Sequence, residues 1–265
     1  EKYVGYWQEG HAYCWGDNSY GQLGDGTSKS HLTPDYVGGA VGGRSIGDIT
    51  SGVTHSCAVG NGRVYCWGDN YDGQLGDGTT SQRSTPVQVS GSITDAVRVV
   101  AGWDHTCALT GDDLTGGRAR CWGKNDYGQL GDGTTSQRST PVSVSGLITG
   151  VVRIAAGWRH TCALTNNGGV KCWGFNADGQ LGDGTTTDRS TPVDVSGLST
   201  GVVDIAAGWG HTCAVTSDGV VRCWGNDGVG QLGIGTVTKR LTPVSVIMPN
   251  ADLYLPLVIR GVNAP

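Results

Sequence analysis

The sequence lacks several features that mark common functional classes. No run of about 18 apolar residues could span a bilayer as a helix, and the longest candidate, residues 253–259, is short and contains Pro256. The formal net charge is −5, and basic residues cluster no further than pairs such as Lys239-Arg240. A phosphate backbone would need a larger basic surface. Neither membrane insertion nor nucleic-acid binding is therefore expected.

Other absences concern metals and glycans. The chain contains no Cys-x-x-Cys pair, the commonest spacing of zinc ligands, and no Asn-x-Ser/Thr glycosylation sequon. No charged-then-apolar leader is present, which is expected either of a cytosolic protein or of the mature form of a secreted one. The cysteines must decide between these two compartments.

Glycine, in contrast, is abundant, with 47 of 265 residues, and falls at fixed positions of a repeat. The tripeptide Cys-Trp-Gly returns five times, in steps of 52, 55, 51 and 51 residues, and each copy is followed by Gly-Gln-Leu-Gly. A period of this length indicates repeated supersecondary units. Because the repeat runs along nearly the whole chain, we expect one domain over residues 1–265, with residues 247–265 as a C-terminal closing or donated strand. The copies begin at Cys14, Cys66, Cys121, Cys172 and Cys223.

The fourth copy shows how one repeat is built. β-rich segments at residues 151–156, 161–165, 170–173 and 191–195 are separated by turn residues. The long link before the last segment is rich in Gly, Asp and Thr and is typical of a surface loop. Four short antiparallel strands per repeat, arrayed radially, predict an all-β fold, a β-propeller of five four-stranded blades.

Eight of the nine cysteines fall into pairs that a hairpin would bring together. Between Cys57 and Cys66, Asn61-Gly62 is a preferred two-residue turn, and folding about it places the two cysteines opposite each other on neighbouring strands. Zinc ligation by His-x-Cys is the competing interpretation, disfavoured because a metal site is seldom repeated in every blade. Disulfides indicate a secreted or cell-surface protein. The predicted pairs are Cys57–Cys66, Cys107–Cys121, Cys162–Cys172 and Cys213–Cys223.

The two ends of the chain complement each other. Val4 stands where later repeats have the first cysteine, so Cys14 is expected to be a free, buried thiol or an intermolecular link. The first repeat also lacks its first strand, and an apolar segment near the C-terminus can supply it, from the same chain or from a neighbouring molecule. Donation between molecules would generate a polymer. The closing strand is assigned to Leu253, Tyr254, Leu255, Leu257, Val258 and Ile259.

The repeated pattern Ala-Ala-Gly-Trp-x-His-Thr-Cys, followed by Cys-Trp-Gly, Gly-Gln-Leu-Gly-Asp-Gly-Thr and Thr-Pro-Val, resembles the regulator of chromosome condensation repeat family. The resemblance covers residues from about 10 to 246. It implies a β-propeller, commonly of seven blades, whereas this chain carries five signatures. We expect a bacterial-type secreted member of that family.

Motifs that would indicate catalysis have simpler explanations. The G-x-S-x-G pattern at residues 197–201 is a repeat turn with a chance serine, and the G-x-G-x-x-G pattern at 228–233 precedes no helix. The Asp-Gly-Thr loops lack calcium-ligand spacing, and histidines recurring in every blade suit a structural role. An enzyme would need unrepeated residues such as Asp112, Asp113 and Arg118. No catalytic residue, metal or cofactor is predicted, and the protein is expected not to be an enzyme.

Three tryptophans, Trp103, Trp158 and Trp209, are predicted to form a partial ring on one propeller face, next to Asp104 and Arg159. This is the expected interaction surface. The first functional hypothesis is an extracellular structural protein that self-assembles with copies of itself, in a homopolymer or surface filament. The alternative is a monomeric secreted module or inhibitor that binds another extracellular protein. A nucleotide exchange factor is disfavoured by the acidic charge and the disulfides.

Overall fold

The computed structural model describes residues 4–8, 11–41, 46–91, 93–111 and 116–248. Within them, nineteen strands form five antiparallel sheets, which we call blades one to five in chain order. Blade one has three described strands and each other blade has four. Sheets of this size, arrayed one after another, are the β-propeller that the sequence predicts.

The strand bounds follow the repeat. Blade one contains β1 (Val4–Gln8), β2 (His11–Gly16) and β3 (His31–Tyr36), followed by a 3-10 turn at Gly39–Val41. Blade two contains β4 (Ile46–Ser51), β5 (His55–Gly60), β6 (Arg63–Gly68) and β7 (Arg83–Gln88). Blade three contains β8 (Ala96–Ala101), β9 (His105–Thr110), β10 (Arg118–Gly123) and β11 (Arg138–Ser143). Blade four contains β12 (Val151–Ala156), β13 (His160–Thr165), β14 (Val170–Gly174) and β15 (Arg189–Asp194). Blade five contains β16 (Val202–Ala207), β17 (His211–Thr216), β18 (Val221–Gly225) and β19 (Arg240–Ser245).

The first strands of successive four-stranded blades lie against one another and therefore line the centre of the array. Between blades two and three, the amide of Val99 donates to Asp48 Oδ2 at 2.9 Å, and the amide of Ala101 donates to Thr50 Oγ1 at 3.3 Å. Each chain segment then runs outward through its second, third and fourth strands. The loops between first and second strands consequently open together at one end of the central channel.

Adjacent blades are joined by one recurring group of hydrogen bonds, which we call the latch. The backbone carbonyl of Gln74, in blade two, accepts two hydrogen bonds from blade three. One comes from the indole N–H of Trp122 at 2.9 Å and the other from the hydroxyl of Thr106 at 2.8 Å. His55 Nε2 of blade two lies 2.8 Å from the same Thr106 oxygen. Because that hydroxyl already donates to Gln74, its oxygen must accept from His55, which fixes the histidine as the neutral Nε2–H tautomer.

The latch repeats at the other junctions. Gln129 accepts from Thr161 and Trp173, and Gln180 accepts from Thr212 and Trp224, each at 2.9 Å. At the first junction Gln22 accepts from Ser56 and Trp67 at 2.9 Å. Apart from His211, the latch residues are almost fully buried, so a donor or acceptor that lost its partner would carry the full free-energy cost of desolvation.

The second glycine of Gly-Gln-Leu-Gly is explained by the same contact. Gly76 has φ of +69°, and a Cβ placed on it would lie 2.6 Å from Nε1 of Trp122. Any side chain here would push the indole away from its acceptor. The glycine is thus required both by the left-handed backbone and by the closeness of the next blade.

Disulfide bonds join the second and third strands of blades two to five, in the four pairs that the hairpin spacing predicts. In each, the two cysteines are direct cross-strand partners with Cα atoms 4.1 Å apart. No zinc arrangement of these residues is compatible with the bonds, because both sulfurs are consumed.

Blade one departs from the sequence prediction by one residue. Gly5, and not Val4, faces Cys14 across the β1–β2 pair. The reason is the turn: Gln8 pairs with His11, so this hairpin has a two-residue connection like that of blade two and is one residue shorter than those of blades four and five. Cys14 is a buried free thiol, and burial raises its pKa to about 12. Such a thiol is a poor nucleophile.

The long loop after each third strand is held by side chains as well as by glycines. Asn70, fully buried, donates to the carbonyls of Thr79 and Ser81 at 3.1 and 3.0 Å, and its Oδ1 accepts from the amide of Leu75 at 3.0 Å. The Asp77 carboxylate accepts a hydrogen bond from the Thr79 hydroxyl and forms an ion pair with Arg83 at 2.8 Å. Burial alone would raise the pKa of Asp77, but these hydrogen bonds hold it below its ordinary value. The carboxylates of the Asp-Gly-Thr loops are thus engaged in contacts within their own loops.

Some predicted features lie outside the described residues. These are the closing strand, assigned to Leu253, Tyr254, Leu255, Leu257, Val258 and Ile259, and the acidic loop positions Asp112 and Asp113. The latch histidine of blade five, His211, is half-buried, and no described residue takes the place beside it that Thr212 takes beside His160. Among the described residues there is no helix with the length and apolarity to cross a membrane.

Thr161→Val tests the latch. The valine can neither accept from His105, whose Nε2 lies 3.0 Å from the Thr161 oxygen, nor donate to the Gln129 carbonyl. We expect the free energy of unfolding to fall by about 2–3 kcal/mol, because buried polar groups lose their partners. Guanidinium unfolding with disulfides intact measures it. Thr186→Val, the same change at an exposed site, should stay within about 0.5 kcal/mol. Equal stability of the two variants would contradict the latch.

The latch histidines make stability depend on pH. Burial lowers the pKa of His55 to about 4, and that of His105 and His160 to about 3, below the ordinary 6.5. The unfolded chain therefore binds more protons below pH 6.5, and the protein should lose stability as the pH falls from there toward 4. His160→Gln should reduce the number of protons taken up on unfolding in this window by about one, and the slope of the unfolding free energy against pH should fall accordingly. An unchanged slope would show that His160 titrates normally.

Candidate interaction surface at the channel mouth

The loops between first and second strands carry the three predicted tryptophans. In blade three, the amide of Gly102 donates to the carbonyl of His105 at 2.9 Å, which closes a tight turn with Trp103 and Asp104 at its tip. The same bond recurs from Gly157 to His160 and from Gly208 to His211, at 2.8 and 2.9 Å. The turn therefore fixes each tryptophan at the same place on its blade.

The indoles form a continuous stack, which we call the tryptophan row. Ring centroids of Trp103 and Trp158 are 5.1 Å apart, and those of Trp158 and Trp209 are 4.8 Å apart, with interplanar angles of 38° and 37°. Trp103 and Trp158 are half-buried, whereas Trp209, at the end of the row, is 66% exposed. An exposed indole backed by two others is a rigid apolar anchor of the kind that dominates binding energy at interfaces.

The row borders a concavity of about 360 Å³ at the mouth of the central channel. Blade two contributes Val53 at the position equivalent to the tryptophans. Small residues form the remaining wall, so the indoles are the largest side chains that line it. The other lining residues are Ser51, Gly52, Ala101, Gly102, Ala156, Gly157, Ala207 and Gly208.

Further aromatic and cationic groups stand behind the centre of the row. The guanidinium carbon of Arg159 lies 4.0 Å from the ring centroid of Trp158 and 4.9 Å from that of Tyr127. Arg159 also donates to the Tyr127 hydroxyl at 2.8 Å. Phe175 meets Tyr127 edge-on at 4.8 Å and Trp158 at 6.2 Å. Arg159 is therefore held in place by cation–π contacts with two rings and by its hydrogen bond to Tyr127.

An acidic cluster lies beside Trp103. Lys124 Nζ is 3.3 Å from Asp72, 4.0 Å from Asp104 and 3.9 Å from Asp126. Burial, and then the charge of Asp72, raise the pKa of Asp104 to about 6, although Lys124 opposes the shift. One lysine thus stands among three carboxylates, and this cluster carries excess negative charge.

The structure brings together all five predicted interaction residues: Trp103, Trp158 and Trp209 form the row, and Asp104 and Arg159 occupy its rim. Sequence reasoning missed Lys124, Phe175, Tyr127 and Asp72. A signal was available, since Lys124 and Phe175 both directly follow Cys-Trp-Gly, a position that differs in chemistry between repeats. Residues that vary where the rest of the repeat is fixed collect on this face.

The motif-like serine does not form a nucleophile site. Ser199 lies in a turn whose flanking glycines, Gly197 and Gly201, have φ of 72° and 78°. No strand-to-helix elbow is present in this part of the described chain. The repeat-turn explanation agrees with this geometry.

Comparison with known proteins identifies the architecture. The family model described as the RCC1-like domain matches residues 8–256. The chain is 37% identical over 255 residues to the ultraviolet-B receptor UVR8 of Arabidopsis thaliana, covering 93% of this chain and 56% of UVR8. It is also 37% identical to the probable E3 ubiquitin-protein ligase HERC4 of Homo sapiens, over 76% of this chain and 19% of that protein. The chain thus spans about half of UVR8 and a fifth of HERC4.

Solved structures give the same fold. Human WBSCR16 matches with a TM-score of 0.79 and 27% identity, over 91% of this chain and 64% of that one. Yeast RCC1 matches with a TM-score of 0.76 and 20% identity, over 91% and 57%, which speaks to the fold alone. The curated relatives named here are plant and animal proteins, and they lend no support to the narrower expectation of a bacterial-type secreted member. With the family model covering nearly all of its length, this chain belongs to the RCC1-like domain family.

Proposed function

We propose that this propeller is a protein-interaction module that binds a segment of a partner polypeptide at the channel mouth. The observation that carries the proposal is the tryptophan row, three stacked indoles ending in the exposed Trp209 beside a concavity of about 360 Å³. Aromatic side chains that already pack against one another bind without losing much rotamer freedom. The remaining repeat positions serve the latch, the disulfides and the loop clamps.

The proposal includes a setting and a mode of action. The protein works outside the reducing cytosol, at a cell surface or in the extracellular space, a location with which its four disulfides are compatible. It acts by binding and not by catalysis, and it needs no cofactor, nucleic acid or membrane insertion. Self-assembly into a filament through the terminal strand, the narrower hypothesis from the sequence, concerns residues outside the described part and stays a prediction.

The row can be tested with a displayed library of random peptides. The wild-type chain should enrich peptides whose binding falls at least about tenfold in Trp209→Ala, since a central indole anchor is worth roughly 2 kcal/mol. Leu32→Ala is the matched control, because it removes a 99% exposed apolar side chain from β3 of blade one. Peptides that bind all three proteins equally would overturn the proposal.

A second candidate, light-dependent binding, is favoured by one observation. Indole absorbs ultraviolet light, and three indoles 4.8–5.1 Å apart, with a guanidinium over the middle ring, are close enough to share excitation. UVR8, with 37% identity, is named an ultraviolet-B receptor. In this version of the proposal, light absorbed by the row changes its contact with the partner.

Near-ultraviolet circular dichroism tests the light-dependent version. The wild-type spectrum should show coupled indole bands that change on ultraviolet-B irradiation, and peptide binding should change with them. Trp158→Phe, which removes the middle indole and keeps an aromatic ring, should abolish both changes. Trp209→Phe leaves the 5.1 Å pair intact and should retain part of the coupling. An irradiated wild-type chain with unaltered spectrum and binding would exclude this candidate.

A further inference from the structure

Each junction along the face of the row presents three variable positions. The first is the residue before Gly-Gln-Leu-Gly in one blade; the second is the residue after the loop tryptophan of the next blade; the third follows Cys-Trp-Gly in that next blade. Because the backbone frame of the repeat is constant, side chains at these positions can be compared directly from junction to junction. At the junction between blades two and three the triplet is Asp72, Asp104 and Lys124. Between blades three and four it is Tyr127, Arg159 and Phe175, and between blades four and five it is Asp178, Gly210 and Asn226.

Two of these junctions contain their own cation. Between blades two and three, Lys124 occupies the third position, and its Nζ lies 3.3 Å from the Asp72 carboxylate. Between blades three and four, Arg159 occupies the second position, where it lies 4.0 Å from the Trp158 ring centroid and donates to Tyr127. A cation therefore occupies one of the three positions at both junctions, and at the second it stacks on an indole of the row.

The junction between blades four and five has an indole and a carboxylate, and none of its three positions carries a cation. The place of Arg159 is taken by Gly210, and a Cβ built there would lie 3.8 Å from Asp178 Oδ2. Asn226, in the place of Lys124, donates to that carboxylate at 2.9 Å. The ion pair of Asp178 within the described residues is with Lys239, at 3.8 Å and half-exposed, whose Nζ donates to the Ala177 carbonyl.

We propose that this junction binds an arginine side chain of a partner polypeptide, which stacks on Trp209 and pairs with Asp178. The chain contains the template of the bound state, because Arg159 makes the corresponding stack one blade earlier. Trp209 is 66% exposed, and the Asp178 side chain is 34% exposed, so both are reachable from solvent. Arginine is favoured over lysine because a planar guanidinium can stack on a ring and donate to a carboxylate at once.

The inference rests on the proposed function and narrows it to one recognition element. The acidic surroundings agree with it, since the four carboxylates of Asp72, Asp104, Asp126 and Asp178 outnumber the three cations near them, Lys124, Lys239 and Arg159. A basic segment approaching the row would be attracted by this excess of carboxylates.

The test uses a capped Gly-Gly-Arg-Gly-Gly peptide and follows the indole N–H signal of Trp209 by NMR during titration. Peptides with lysine or with citrulline, the uncharged isostere of arginine, replace it in parallel. The arginine peptide should shift the Trp209 signal and bind about fivefold more tightly than the lysine peptide, and citrulline should not bind. Asp178→Asn should weaken the arginine peptide by about fivefold. Asp194→Asn, at a carboxylate that is 78% exposed on blade four, is the matched control.

Gly210→Arg provides a test in the opposite sense. The new side chain should occupy the site as Arg159 does in blade four, so that the Trp209 signal shifts without peptide and added peptide no longer binds. Equal binding of all three peptides, or no effect of Asp178→Asn, would overturn the arginine site. If library peptides still depend on Trp209 but lack arginine and ignore Asp178→Asn, the inference fails while the proposed function stands. If the library peptides bind Trp209→Ala as tightly as the wild-type chain, both the inference and the proposed function fail.

Discussion

The structure depends on a backbone carbonyl that accepts two hydrogen bonds from the neighbouring blade. In Gly-Gln-Leu-Gly the backbone carbonyl of the glutamine accepts hydrogen bonds from an indole N–H and from a hydroxyl. The oxygen of that hydroxyl in turn accepts a hydrogen bond from a neutral histidine. The residues of one latch come from two repeats, so no repeat satisfies its own motif. This explains why the spacing of the repeat is so regular: the three motif parts must meet across each junction, and a shift in one blade would leave polar groups buried without partners in two.

The surface available for function follows from that requirement. Most fixed positions are occupied by the latch, by the disulfides, or by the buried asparagine and the Asp–Arg pairs that hold the long loops. Variation is tolerated where a side chain projects from a closed turn toward the channel mouth. There the scaffold holds Trp103, Trp158 and Trp209 at a constant spacing and allows their neighbours to differ, which gives a rigid apolar row with a changeable charged rim.

Much of this arrangement could be predicted from the sequence, because it depends on local pairing. The hairpin turn at Asn61-Gly62 fixes Cys57 opposite Cys66, and the structure retains that register. The row was predictable because equivalent positions in successive blades must be neighbours. The register of β1 was missed by one residue, because a two-residue turn cannot be distinguished from a three-residue turn without the partner strand. The roles of Asn70, Lys124 and Phe175 were missed because they depend on contacts distant in sequence, across a long loop or between blades.

The latch also has a direction along the array of blades. At the described junctions, blades one to four offer a glutamine carbonyl on one side, with a histidine beside it in blades two to four, and blades two to five offer an indole and a hydroxyl on the other. Two such edges can join only head to tail. An isologous, two-fold pairing of identical edges would place donors against donors and acceptors against acceptors. Whole repeats can be gained or lost between any two blades without altering a junction, since each new blade brings one complete pair of edges. The number of blades is thus not encoded in any single junction, and it is free to change while the chemistry between blades stays the same.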